Sequence, residues 1–128
     1  MDDKQTYTTG TVFEERFGYA RAVRKGDIIK ISGTVAVEDG EPVAPSDPYE
    51  QASFIIDRIE KALTELGGEL DDVIQTRVYV EDFDDWKEIG KAHRSAFADV
   101  QPANTTIQVE TLVDEDYCLE IDAEAIVS

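Results

Sequence analysis

The run Tyr117-Cys118-Leu119-Glu120-Ile121-Asp122-Ala123-Glu124-Ala125-Ile126-Val127 carries the clearest structural signal in the chain. Tyr117, Leu119, Ile121, Ala123, Ala125 and Val127 alternate with Cys118, Glu120, Asp122 and Glu124. Side chains of a β-strand point alternately to opposite faces, so the first set faces a core and the acidic set faces away from it.

Working backwards, the same period predicts strands over Thr105–Leu112, Val73–Val80, Ile28–Val35 and Tyr19–Val23. Lys25-Gly26-Asp27 joins the last two as a tight turn. Two helices lie between strands. Asp47, Pro48 and Glu50 make a capping start to the first, and Gly67-Gly68 ends it. Its apolar residues Ala52, Ile55, Ile56, Ile59, Ala62, Leu63 and Leu66 recur at helical spacing. The second helix begins near Asp84-Asp85, carries a Trp86, Ile89, His93, Phe97 stripe and stops before Pro102. These elements predict an α+β domain spanning residues 1–128, a mixed sheet with two helices packed on one face.

Inward Ile29, Ile31, Val78, Val80, Ile107 and Val109 would leave a far face of polar groups. That face would hold Lys30, Ser32, Thr34, Gln75, Arg77, Tyr79, Asn104, Thr106, Gln108 and Glu110, with Tyr19 and Arg21 from the first strand. Periodicity alone leaves two readings open, a solvated sheet or a face that meets another subunit with a cleft at the seam.

Composition narrows the function classes. Among 128 residues, 29 Asp and Glu oppose 12 Lys and Arg, a net charge of −17. Nucleic acid and anionic membrane surfaces repel such a chain, so neither is an expected partner. One cysteine, Cys118, allows no intrachain disulfide, and no Cys/His set has metal spacing. The start, Met1-Asp2-Asp3-Lys4, lacks the pattern of a signal peptide, and no apolar run could span a bilayer. A soluble cytoplasmic protein is expected, adapted to high salt because screening relieves self-repulsion.

Gly18-Tyr19, Gly26-Asp27, Ile31-Ser32-Gly33-Thr34, Leu70-Asp71-Asp72-Val73, Asp84-Asp85-Trp86, Pro102-Ala103 and Leu119–Ala125 follow one another in an order that resembles the RidA/YjgF family. The resemblance implies a chorismate-mutase-like fold, a homotrimer, and small-molecule clefts between subunits. It also implies an enamine/imine deaminase, of the 2-iminobutanoate/2-iminopropanoate type, that needs no cofactor and no metal. Carried over, Glu120 would position or activate water, while Tyr19, Ser32, Gly33, Asn104 and Thr106 would line the cleft. Asn104 stands where deaminating members have a carboxylate-binding Arg, Thr106 where a Cys is common, and Gly90 where an Asn is common. A non-catalytic ligand-binding or regulatory trimer is therefore the alternative.

Arg21 and Arg77 are candidates to supply the missing positive charge, with structural ion pairs to Glu110, Glu120 or Asp122 as the competing reading. His93 reads as a packed or boundary histidine and Cys118 as an interface thiol on Glu120's face. Ser32, His93 and the acidic residues carry no nucleophile-elbow signature.

The charge makes a direct prediction. Thermal melts should move to higher temperature from low salt to molar KCl, and melts that are no more stable in KCl would exclude salt adaptation.

Overall fold

The computed structural model describes residues 3–128. Met1 and Asp2, part of the start read above, lie outside the described residues. Chain order runs β1 (Lys4–Tyr7), α1 (Val12–Phe17), β2 (Ala22–Lys25), β3 (Ile28–Thr34), then a small hairpin of β4 (Val37–Glu38) and β5 (Glu41–Pro42). It continues with α2 (Pro48–Glu65), β6 (Val73–Val80), α3 (Trp86–Phe97), β7 (Ala103–Gln108) and β8 (Leu119–Ile126). Short 3-10 turns at Leu70–Asp72 and Phe83–Asp85 lead into β6 and α3.

Six strands form one sheet in the order β1-β2-β3-β8-β6-β7. The β6–β7 pair is parallel and joined by α3, while the other pairs are antiparallel. This is the mixed-sheet α+β architecture expected. The alternation in β8 also holds: Leu119, Ile121 and Ala125 are fully buried, while Glu120, Asp122 and Glu124 lie on the other face.

Helix α2 forms as its signals require. The Asp47 carboxylate accepts the Glu50 N–H at 3.1 Å, and Ala52, Ile55, Ile59, Ala62 and Leu63 are fully buried against β3 and β8. Each such Ile or Leu contributes about 1.5–3 kcal/mol relative to exposure. The helix stops where Gly67 takes a φ of +82°, conformational space that other residues avoid. Arg24 reaches across from β2 and donates to the Leu66 carbonyl at 2.8 Å, closing the helix end onto the sheet.

Several expectations need correction. Among the described residues there are three α-helices, because Thr11 caps α1 and Gly18 ends it in the left-handed region. The N-terminal strand β1 is an exposed polar edge with no alternation to report it. The first expected strand is displaced, so Tyr19 and Arg21 precede β2. Trp86 is 48% exposed, and Ala92 joins Ile89 and Phe97 in the core instead. Cys118 precedes β8 and packs against the core cluster.

The largest correction concerns β7. Its register sets Asn104 beside Thr76 and Thr106 beside Val78, both partners buried on the helix-covered face. Asn104 and Thr106 therefore occupy the helix side, while Ile107, expected inward, is 44% exposed next to Tyr79. As an edge strand with one neighbour, β7 carries hydrophobicity that does not report which face is covered.

Gln51 ties the long loops to this framework. Fully buried in α2, its amide donates to the carbonyls of Asp116 at 2.8 Å and Val43 at 3.1 Å and accepts the Cys118 N–H at 2.7 Å. Gln51→Ala leaves those buried groups unpaired and should destabilise the fold by about 2–4 kcal/mol, measured by urea denaturation.

Candidate functional site

The register between β3 and β8 shifts between Ile31 and Thr34, which makes Ser32-Gly33 a bulge. Bulges re-aim side chains and recur beside functional sites. The Ser32 N–H donates to the Arg21 carbonyl at 2.9 Å, and its hydroxyl donates to the Ala20 carbonyl at 2.8 Å. Ser32 thus clamps the Tyr19–Arg21 segment onto the bulge. The Thr34 hydroxyl donates to the Ser32 carbonyl at 2.8 Å and braces it from the core side.

The Glu120 carboxylate lies over Gly33. A Cβ at Gly33 would fall 1.8 Å from Glu120 Oε1, so only glycine leaves this seat open. Glu120 is half-buried although it belongs to the polar face. Burial pushes its proton affinity up, the Arg21 charge pulls it down, and Asp122 adds to the rise; the net direction is up. Such a carboxylate holds a proton more readily than an exposed one.

Arg21 lies 5.8 Å over the Tyr19 ring and 4.0 Å from the carboxylate of Glu14. Glu14 is 4% exposed and accepts the Thr9 N–H at 2.9 Å and the Thr9 hydroxyl at 2.7 Å. Burial alone would raise its pKa, but these bonds, with Thr11 and the Arg21 charge, outweigh it and the net direction is down. Glu14 and Glu120 are thereby driven apart, one held ionised and one biased toward its acid form. Glu14 was not singled out from sequence, although Thr11-x-x-Glu14 has capping-box spacing.

Arg77 has another partner. Its Nε donates to Asp122 at 2.9 Å, and the Tyr79 hydroxyl donates to the other Asp122 oxygen at 2.8 Å. Arg77 is thus in the structural ion pair weighed against it. Arg21 lies nearest Glu14, at 4.0 Å and with no hydrogen bond from its buried Nε, and its charge also acts on Glu120.

On the opposite face, Asn104 Nδ2 donates to Thr76 Oγ1 at 3.0 Å, and the Thr106 hydroxyl donates to Asn104 Oδ1 at 3.2 Å. Thr76 Oγ1 is 2.8 Å from His93 Nε2. Desolvation lowers the His93 pKa and so favours the neutral ring. A Cβ on Gly90 would meet nothing within 4 Å, so packing does not require glycine there. Burial, then Asp85, raises the Cys118 pKa and keeps it a thiol.

Two half-sites result. Tyr19, Arg21, Ser32, Gly33 and Glu120 come together around the bulge, whereas Asn104 and Thr106 sit across the sheet with Thr76 and His93. A surface cavity of about 300 Å³ between the C-terminal parts of α2 and α3 is lined by Glu60, Glu69, Asp71 and Asp99 and includes neither half. Among the described residues, no group of three or more His, Cys, Asp or Glu is arranged to hold a metal ion. No helix among them is long and apolar enough to cross a membrane.

The family profile described as Endoribonuclease L-PSP matches residues 10–127. A solved Mycobacterium tuberculosis protein of the YjgF/YER057c/UK114 family superposes with a TM-score of 0.89 at 34% identity, covering 98% of this chain and 100% of its own. An uncharacterized Streptomyces coelicolor protein is 33% identical over 117 residues, 91% of this chain and 87% of that one. The Escherichia coli protein named 2-iminobutanoate/2-iminopropanoate deaminase is 26% identical over 111 residues, 84% of this chain and 86% of its own.

Glu120→Gln removes a desolvated charge and should raise the melting temperature at pH 7. A carboxyl whose pKa is raised by folding opposes folding once ionised, so this gain should vanish as pH falls below the ordinary carboxylate range. Melting curves between pH 4 and 8 check both the sign and the window.

Proposed function

The chain belongs to the Endoribonuclease L-PSP family, and from that membership we propose that it forms a homotrimer whose inter-subunit clefts bind a small metabolite. In those clefts it hydrolyses a reactive imine or enamine to a carbonyl compound and ammonia. The observation that carries this reading is the half-buried Glu120 carboxylate seated on Gly33 beside Arg21. The deaminase named above supports the reaction class.

The chemistry needs a group that both takes and returns a proton. Ionised Glu120 draws a proton from water as the oxygen adds to the C=N carbon, and the resulting carboxylic acid protonates the nitrogen. Glu120 then passes the carbinolamine's hydroxyl proton to that nitrogen, and collapse expels ammonia and leaves the carbonyl. Tyr19 and Arg21 shape one wall, and Ser32 holds that wall in register.

Asn104 and Thr106 lie on the other face of the sheet, so they complete such a cleft only toward a second copy. Exposed apolar residues on the Glu120 face, Ile28 at 48%, Ile126 at 46% and Ile107 at 44%, support its burial against neighbouring copies. The net charge of −17 disfavours RNA as the ligand.

Asn104 favours the second reading, a ligand-binding or regulatory trimer. An Arg fork holds a carboxylate through two charge-assisted hydrogen bonds, and an amide supplies no charge. Freshly generated 2-aminoacrylate should therefore be turned over slowly, by an assay of ammonia and keto-acid release in molar KCl. Glu120→Gln and Gly33→Ala should abolish the release, and Asn104→Arg combined with Gly90→Asn should raise it at least tenfold. Saturable binding without ammonia, in the parent and the double variant alike, would select the second reading. A lone protomer in light scattering would exclude the shared cleft.

A further inference from the structure

Asn104 is an exposed side chain on an edge strand, yet a fully buried hydroxyl and the chain's one histidine hold it in place. A hydroxyl has one hydrogen and two lone pairs. Thr76 Oγ1 accepts the Asn104 N–H at 3.0 Å and shares a second hydrogen bond with His93 Nε2, 2.8 Å away. Burial favours the neutral form of that imidazole. From the outer side, Thr106 donates to Asn104 Oδ1 at 3.2 Å.

In this relay the amide nitrogen faces Thr76 and the oxygen faces Thr106. An Asn amide has two N–H donors and two oxygen lone pairs. After the relay, one N–H and one lone pair remain for a ligand. Among the described residues of this chain the amide is bonded by Thr76 and Thr106 and by no cation, and Arg77 is paired with Asp122.

We propose that this corner of the cleft recognises an uncharged carboxamide or ureido group of its ligand and discriminates against a carboxylate. The proposal rests on the reading above, that Asn104 faces a bound metabolite. A carboxamide offers one donor and one acceptor and complements both free sites. A carboxylate offers acceptors only, so it sets an anionic oxygen against the Asn104 lone pair, a repulsive contact that gives selectivity. Thr76 and His93 are positioning residues in this scheme.

Pyruvamide and pyruvate differ only in this group, and titration calorimetry of each in molar KCl tests the proposal. Pyruvamide should bind at least tenfold more tightly. Thr76→Val should weaken pyruvamide about tenfold, the loss of one oriented hydrogen bond, and leave pyruvate unchanged. Thr76→Ser, which keeps the hydroxyl, should restore the preference. Asn104→Asp should produce the same loss without disturbing the core, so the test survives if Thr76→Val fails to fold. Equal or tighter binding of pyruvate would overturn the proposal and leave the shared cleft standing. A folded trimer that binds neither molecule would overturn both. Selectivity unchanged in folded Thr76→Val, or an Asn104→Asp variant that loses assembly but keeps the preference, would overturn the relay.

Discussion

Burial of Leu119, Ile121, Ala123 and Ala125 beneath α2 is the constraint on which the rest of this molecule depends. β8 lies between β3 and β6, so its register sets theirs. Slipping a strand by one residue would exchange its two faces, placing Glu120, Asp122 and Glu124 under the helix. Desolvating three carboxylates there is prohibitive. With the apolar set fixed inward, Glu120 must point to the open face, and the Ser32-Gly33 bulge opposite supplies its seat.

Electrostatics on that face follow from the same geometry. The Lys30–Glu124 and Arg77–Asp122 pairs each link neighbouring strands. Exposed pairs of this kind contribute little to stability, so their effect is to occupy cations and order the surface. Among the described residues, no cation is hydrogen-bonded to Glu120. It is the half-buried carboxylate at the bulge, and it faces an Arg21 already drawn toward Glu14. A desolvated carboxylate of this kind costs stability.

Much of the framework was legible in advance, because α2 and β8 have strong, unbroken periodicity and clear punctuation. β1 and α1 were not, since a four-residue polar edge and a six-residue helix carry too few positions for a period. Glu120, Ser32 and Gly33 were reached through a family pattern, and the reason for the glycine became visible only with the carboxylate lying over it. Glu14, Thr76 and the bonded role of His93 were missed. Their partners lie across the fold or in a segment without regular alternation.

Sequence by itself determined the amphipathic periods of α2 and β8, the acidic net charge and the absence of a basic run. These follow from local spacing and from counting, which need no knowledge of neighbours. Tertiary structure alone decided which face Asn104 and Thr106 occupy, because an edge strand takes its orientation from the partner's register and not from its own hydrophobicity. It alone also decided that Arg21 meets Glu14 and that Thr76 orients Asn104, since hydrogen bonds between distant segments exist only once the sheet has brought them together.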